Sequence, residues 1–95
     1  MRLRGAIILL TLTIASCVAG PPVQEMSDAR QAIAAAEESN AATLAPDELN
    51  EARRLLEQAE TQLRARYYTL AQTTAIQARS RAVEALQASQ AANPE

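Results

Sequence analysis

The stretch Leu44-Ala45-Pro46-Asp47-Glu48-Leu49, continued by Ala52, Leu56, Ala59 and Leu63, decides the fold. Pro46 disfavours helix at Ala45 and suits the first position of a new helix, where its missing N–H costs nothing. Asp47 and Glu48 then fall in the first turn, where the helix dipole favours negative charge. Leu49, Ala52, Leu56, Ala59 and Leu63 recur at alternating steps of three and four, the signature of one buried helical stripe. Leu55 widens that stripe.

Downstream, Tyr68, Ala71, Ala75, Ala78, Ala82 and Leu86 form another stripe of the same rhythm. The step from Leu63 to Tyr68 is five residues and breaks the phase. A tight turn near 64–67 and a further helix from about Tyr67 to Ser89 are expected. The alternative is one long helix from Pro46 to Ala88, since no glycine or proline enforces the turn. Upstream, Ser27 and Asp28 are expected to open a first helix, as cap or first-turn acid. Met26, Ala29, Ile33, Ala36 and Asn40 make its narrow stripe, which fades near Ser39-Asn40. The expected fold is all-α, a small antiparallel three-helix bundle, with a helical hairpin containing one long helix as the alternative. Leucines against alanines allow close helix approach, so the last two helices should form the best-packed pair.

Composition makes the core thin. Alanine is the best helix former but buries little surface. The chain has no tryptophan and no phenylalanine, and Tyr67 and Tyr68 are its two aromatics. A small domain with so little to bury usually draws stability from a disulfide, a metal or a partner. The single cysteine excludes an internal disulfide, so a protein partner or a homo-oligomer is expected.

The N-terminus reads as a targeting segment. Arg2 and Arg4 form a basic region, and Ala6 to Ala15 an apolar run of about ten residues. A membrane-spanning helix needs roughly twenty, so a removable signal fits better than a span. Ile14-Ala15-Ser16-Cys17 resembles the lipobox of bacterial lipoprotein precursors. The resemblance implies cleavage between Ser16 and Cys17, with diacylglycerol on the Cys17 sulfur and an acyl chain, such as palmitate, on its amine. Several chains anchor firmly, at roughly 0.8 kcal/mol per buried methylene. Val18, rather than aspartate, after the lipidated residue favours the outer membrane and a periplasm-facing domain. The expected organisation is signal peptide 1–16, lipidated cysteine and proline-stiffened tether 17–25, alanine-rich helical domain 26–91 and tail 92–95.

Chemistry is sparse. No histidine is present, and a lipidated Cys17 leaves no free thiol, so serine–histidine and cysteine–histidine catalysis is not expected. Glu37-Glu38 and Asp47-Glu48 are adjacent pairs that point about 100° apart on a helix and do not converge. No calcium-loop pattern of alternating Asp and Asn appears. No enzyme activity, metal or cofactor beyond the covalent lipid is therefore expected. From Cys17 onward there are seven arginines against eleven acidic residues, a net side-chain charge of −4 that argues against nucleic-acid binding. The arginines come as Arg53-Arg54, Arg64 with Arg66, and Arg79 with Arg81. They read either as a solvated face or as a docking face, with Glu60–Arg64 and Arg81–Glu84 as local ion pairs. Tyr67 and Tyr68 sit at the expected turn. They either cap the bundle end or, with Arg64 and Arg66, contact a partner.

The same residues, Leu44 to Leu49 followed by Ala52, Leu56, Ala59, Leu63, Tyr68, Ala71, Ala75, Ala78 and Ala82, resemble the domain-of-unknown-function 4398 family. That family comprises bacterial envelope lipoproteins with an alanine-rich helical domain, and the likeness covers about 28–88. It implies an envelope setting and brings no catalytic residues. Relatives often carry a glycine-acidic step before the tyrosine; Arg66 and Tyr67 occupy it here. The murein lipoprotein, another small lipidated helical protein, is linked to peptidoglycan through a lysine. With no lysine in this sequence, that covalent link is not expected. The function expected is a non-catalytic helical interaction or structural module of an envelope assembly. The alternative is a small membrane-active or envelope-stress lipoprotein of the entericidin kind.

Overall fold

The computed structural model describes residues 20–93. The helices are α1 (Val23–Glu38), α2 (Ala41–Leu44), α3 (Pro46–Arg64) and α4 (Tyr68–Ala92). The fold is an all-α bundle in which α1, α3 and α4 run up, down and up. Side-chain pairs fix the directions. Arg30 meets Glu60 and Glu37 meets Arg53, so α1 and α3 are antiparallel. Met26 packs with Ala75, and Ile33 with Ala82, so α1 and α4 are parallel. The α3–α4 hairpin is the most extensively packed pair, α1 against α4 comes next, and α1 touches α3 least. Helix α4 is thus the element that the others share.

The hairpin, not the single long helix, is what forms. Helix α3 ends in a Schellman motif. The Arg66 N–H donates to Leu63 O at 2.9 Å and the Tyr67 N–H to Gln62 O at 2.9 Å, the paired bonds that satisfy a helix's last carbonyls. Arg66 takes the left-handed conformation this requires, with φ 67°.

Three local expectations are corrected. Helix α1 opens at Val23, not at Ser27: the Met26 N–H bonds Pro22 O at 3.0 Å, and Pro22 is buried, so the chain joins the bundle before the expected end of the tether. Ser27 lies a turn inside the helix and accepts a hydrogen bond from Gln31. Asn40 is not part of the buried stripe; it is exposed and left-handed (φ 68°), turning the chain into α2, which the sequence reading lacked. Asparagine tolerates that conformation because its short polar side chain can bond locally. Helix α4 continues to Ala92, one turn past Ser89.

The core is as thin as composition suggests. Among the described residues, and apart from Pro22, eleven of the fifteen buried apolar side chains are alanine; the others are Met26, Ile33, Leu49 and Leu55. Leu56 is half-buried and packs against all three core clusters, so both leucines of the 55–56 pair serve the interior. Thr74 and Ser89 are buried on α4; the Ser89 hydroxyl donates to Ala85 O at 2.7 Å, which satisfies it within its own helix.

Candidate functional site: the hairpin corner and the helical surface

Cys17 and Ser16, the expected lipidation and cleavage residues, lie outside the described residues. The remaining candidates, Arg64, Arg66, Tyr67 and Tyr68, are brought together at the corner between α3 and α4. Arg64 is the last residue of α3, where a cation suits the negative end of the dipole. Arg66 is exposed at the left-handed position of the turn. Tyr67 precedes α4 and is 63% exposed, whereas Tyr68 is half-buried as the first residue of α4. The two rings thus differ in exposure, Tyr68 being partly covered and Tyr67 facing solvent. Arg64 Nη2 lies 3.4 Å from Thr61 Oγ1, and among the described residues neither Arg64 nor Arg66 forms an ion pair.

Elsewhere the arginines are mostly engaged. Arg53 binds Glu37 at 2.7 Å across α1 and α3. Arg54 grips Glu51 as a fork, Nε to Oε1 at 3.0 Å and Nη2 to Oε2 at 2.7 Å. The hydrogen bonds from Arg54 hold the Glu51 carboxyl below the ordinary value; desolvation opposes them, and the weaker attractions of Arg54 and then Arg81 add to the lowering, while the same hydrogen bonds and charge raise the Arg54 guanidinium. The expected Arg81–Glu84 pair forms at 2.9 Å. The expected Glu60–Arg64 pair does not. Glu60 instead meets Arg30 of α1 at 3.2 Å, because the antiparallel packing brings that guanidinium over the α3 flank. A shallow polar groove between α3 and α4 is lined by Glu51, Arg54, Arg81 and Glu84.

Among the described residues, no cluster of three His, Cys, Asp or Glu side chains could hold a metal, and no helix is long and apolar enough to cross a membrane. Leu70 and Ile76 of α4 are about half exposed, at 51% and 53%.

A family model described as "Domain of unknown function (DUF4398)" matches residues 24–95. No curated protein and no solved structure matches the chain.

Proposed function

The chain belongs to the DUF4398 family, and on that basis we propose that it is a lipoprotein anchored through Cys17 to the outer membrane, serving as a non-catalytic, periplasm-facing interaction module of an envelope assembly. The observation that carries the reading is the pairing of a lipobox-like Ile14-Ala15-Ser16-Cys17 with an alanine-cored bundle. Cleavage after Ser16 and acylation of Cys17 tether the chain, and the proline-containing segment to Pro22 leads directly into α1. A bundle that buries mainly methyl groups gains little from its own core, so association with another surface supplies stability as well as function. Tyr67, with Arg64 and Arg66 beside it, forms an exposed aromatic and cationic corner of the kind enriched at binding hot spots.

The test has two arms. Cells fed labelled palmitate should incorporate it into the protein, and Cys17→Ser should abolish both the label and sedimentation with outer membranes. Crosslinking in cells followed by detergent extraction should recover the chain bound to protein. Unlabelled, uncleaved chain in the soluble fraction would overturn the anchor. Recovery of free monomer alone after crosslinking would overturn the interaction role, and vesicle leakage caused by the purified protein would favour a membrane-active one.

A further inference from the structure

Helix α4 carries two seams of the same period on opposite sides. The inward one is Ala71, Ala75, Ala78, Ala82, Ala85 and Ser89, all fully buried. The outward one is Thr69, Thr73, Ile76, Ser80, Val83 and Gln87; five are exposed and Val83 is half-buried. The steps are four, three, four, three and four in both, and the second seam is the first displaced by two residues, about 200° around the helix. No charge interrupts the outward seam over its five turns. The outer side of α3, by contrast, bears Arg53, Arg54, Glu57 and Arg64, all exposed. A solvent-facing helix normally carries charged and polar residues opposite the core; α4 carries uncharged ones there, Ile76 and Val83 among four polar side chains, and keeps its charges on its flanks.

We propose that this outward face of α4 docks the same face of a second copy of the chain, with the two α4 helices parallel and in register. In heptad terms Thr73, Ser80 and Gln87 occupy a, and Thr69, Ile76 and Val83 occupy d. Arg79 then falls at g and Glu84 at the following e. Parallel in-register pairing sets each g against the e five residues later on the other helix, which brings Arg79 of one copy to Glu84 of the other, twice about the twofold axis. Antiparallel pairing sets g against g and e against e, so in no antiparallel register does Arg79 meet Glu84. The flanking charges therefore select both the occupant and its direction. Arg79 is exposed and has no ion pair among the described residues, while Glu84 pairs only with Arg81 one turn away at the surface. Threonine and serine along the seam allow close approach of the two backbones. This inference names the partner of the interaction module proposed above and does not depend on the lipid anchor.

The test is sedimentation of the full chain in mild detergent over a range of concentrations. The protein should pass from monomer to dimer. Ile76→Glu, which adds a charge to the seam at an exposed position, should raise the dimer dissociation constant about tenfold or more with circular dichroism unchanged. Arg79→Glu and Glu84→Arg should each weaken the dimer about threefold, and the double exchange should restore it. Ser80→Cys should crosslink to itself under oxidation, beyond any disulfide formed by the parent chain; this arm stands even if Ile76→Glu unfolds. A monomer at every concentration, a dimer indifferent to Ile76→Glu, or a failed Ser80→Cys crosslink would overturn the inference. If crosslinking in cells nonetheless recovers a different protein, the interaction-module reading survives while the self-docking does not.

Discussion

The Tyr67 amide donates to the Gln62 carbonyl at 2.9 Å, closing the turn between α3 and α4 around a left-handed Arg66. That bond ends one helix, aims the next and places the exposed Tyr67 ring at the bundle's corner. It is achieved with a residue that pays for its conformation, since the left-handed region costs a side-chain-bearing residue roughly 1–2 kcal/mol.

Arg66→Gly is therefore expected to stabilise the domain by about 0.5–1 kcal/mol, the relief of strain being partly offset by glycine's greater freedom in the unfolded chain. For a domain of this size the melting temperature should rise by roughly 2–8 °C. Arg66→Val should lower it, because a β-branched residue fits the left-handed region worst. Thermal melts of the three proteins check the order.

Leu49 is among the largest fully buried side chains, in a core that is otherwise mostly methyl groups. Leu49→Ala should cost about 2–5 kcal/mol. Ala78, fully buried against Ala29 and Leu55, has no room for growth. Ala78→Leu should cost about 1–3 kcal/mol through overpacking. Urea unfolding measures both; a neutral Ala78→Leu would mean the helices are not in close contact there.

Arg30 and Glu60 bridge α1 and α3 at 3.2 Å with half-exposed and one-third-exposed side chains. A double-mutant cycle should give a coupling of about 0.2–1 kcal/mol that shrinks with added salt. The same cycle on Glu60 and Arg64 should give a smaller coupling, because Glu60 is turned towards α1.

Glu51 binds protons less readily in the folded chain than in the unfolded one, because the Arg54 fork favours its carboxylate. Its contribution to stability is complete above the ordinary carboxyl value and fades as pH falls through the lowered folded value. Carboxyl carbon NMR should show Glu51 titrating below its usual range, and Arg54→Ala should move it upward. An unchanged titration would mean the fork does not persist in solution.

Gln62 Oε1 is buried without a hydrogen-bond partner among the described residues. A buried unpaired acceptor costs about 1–3 kcal/mol, and an apolar residue of similar shape avoids that. Gln62→Leu should raise stability by about 1 kcal/mol in urea titrations, with the backbone bond to Tyr67 retained.

The stripes were legible because helical periodicity needs no partner to be visible. Met26, Ala29, Ile33, Ala36, Leu49, Ala52, Ala59, Ala71, Ala75, Ala78 and Ala82 were all assigned inward, and all are buried. Pro46 was readable as a helix start because its ring excludes other roles. The start at Val23 was missed because α1 has no side-chain cap to announce it. The turn at 64–67 was only half legible, as a break in phase, because the residue that makes it is an arginine where glycine would have been the signal. The phase break was also what put Arg64, Arg66, Tyr67 and Tyr68, neighbours in sequence, at a corner rather than along one helix.

The sequence by itself determined that the chain is helical, where most of its core faces lie and that its interior is built of alanine. Those are properties of single helices, set by backbone sterics and the 3.6-residue period. Tertiary structure alone decided that α1 packs on α4 more than on α3, that Glu60 leaves Arg64 for Arg30, and that the second seam of α4 is left facing outward. Each of those depends on how three helices settle against one another, and alanine stripes, being alike, leave that choice to the summed packing of all of them.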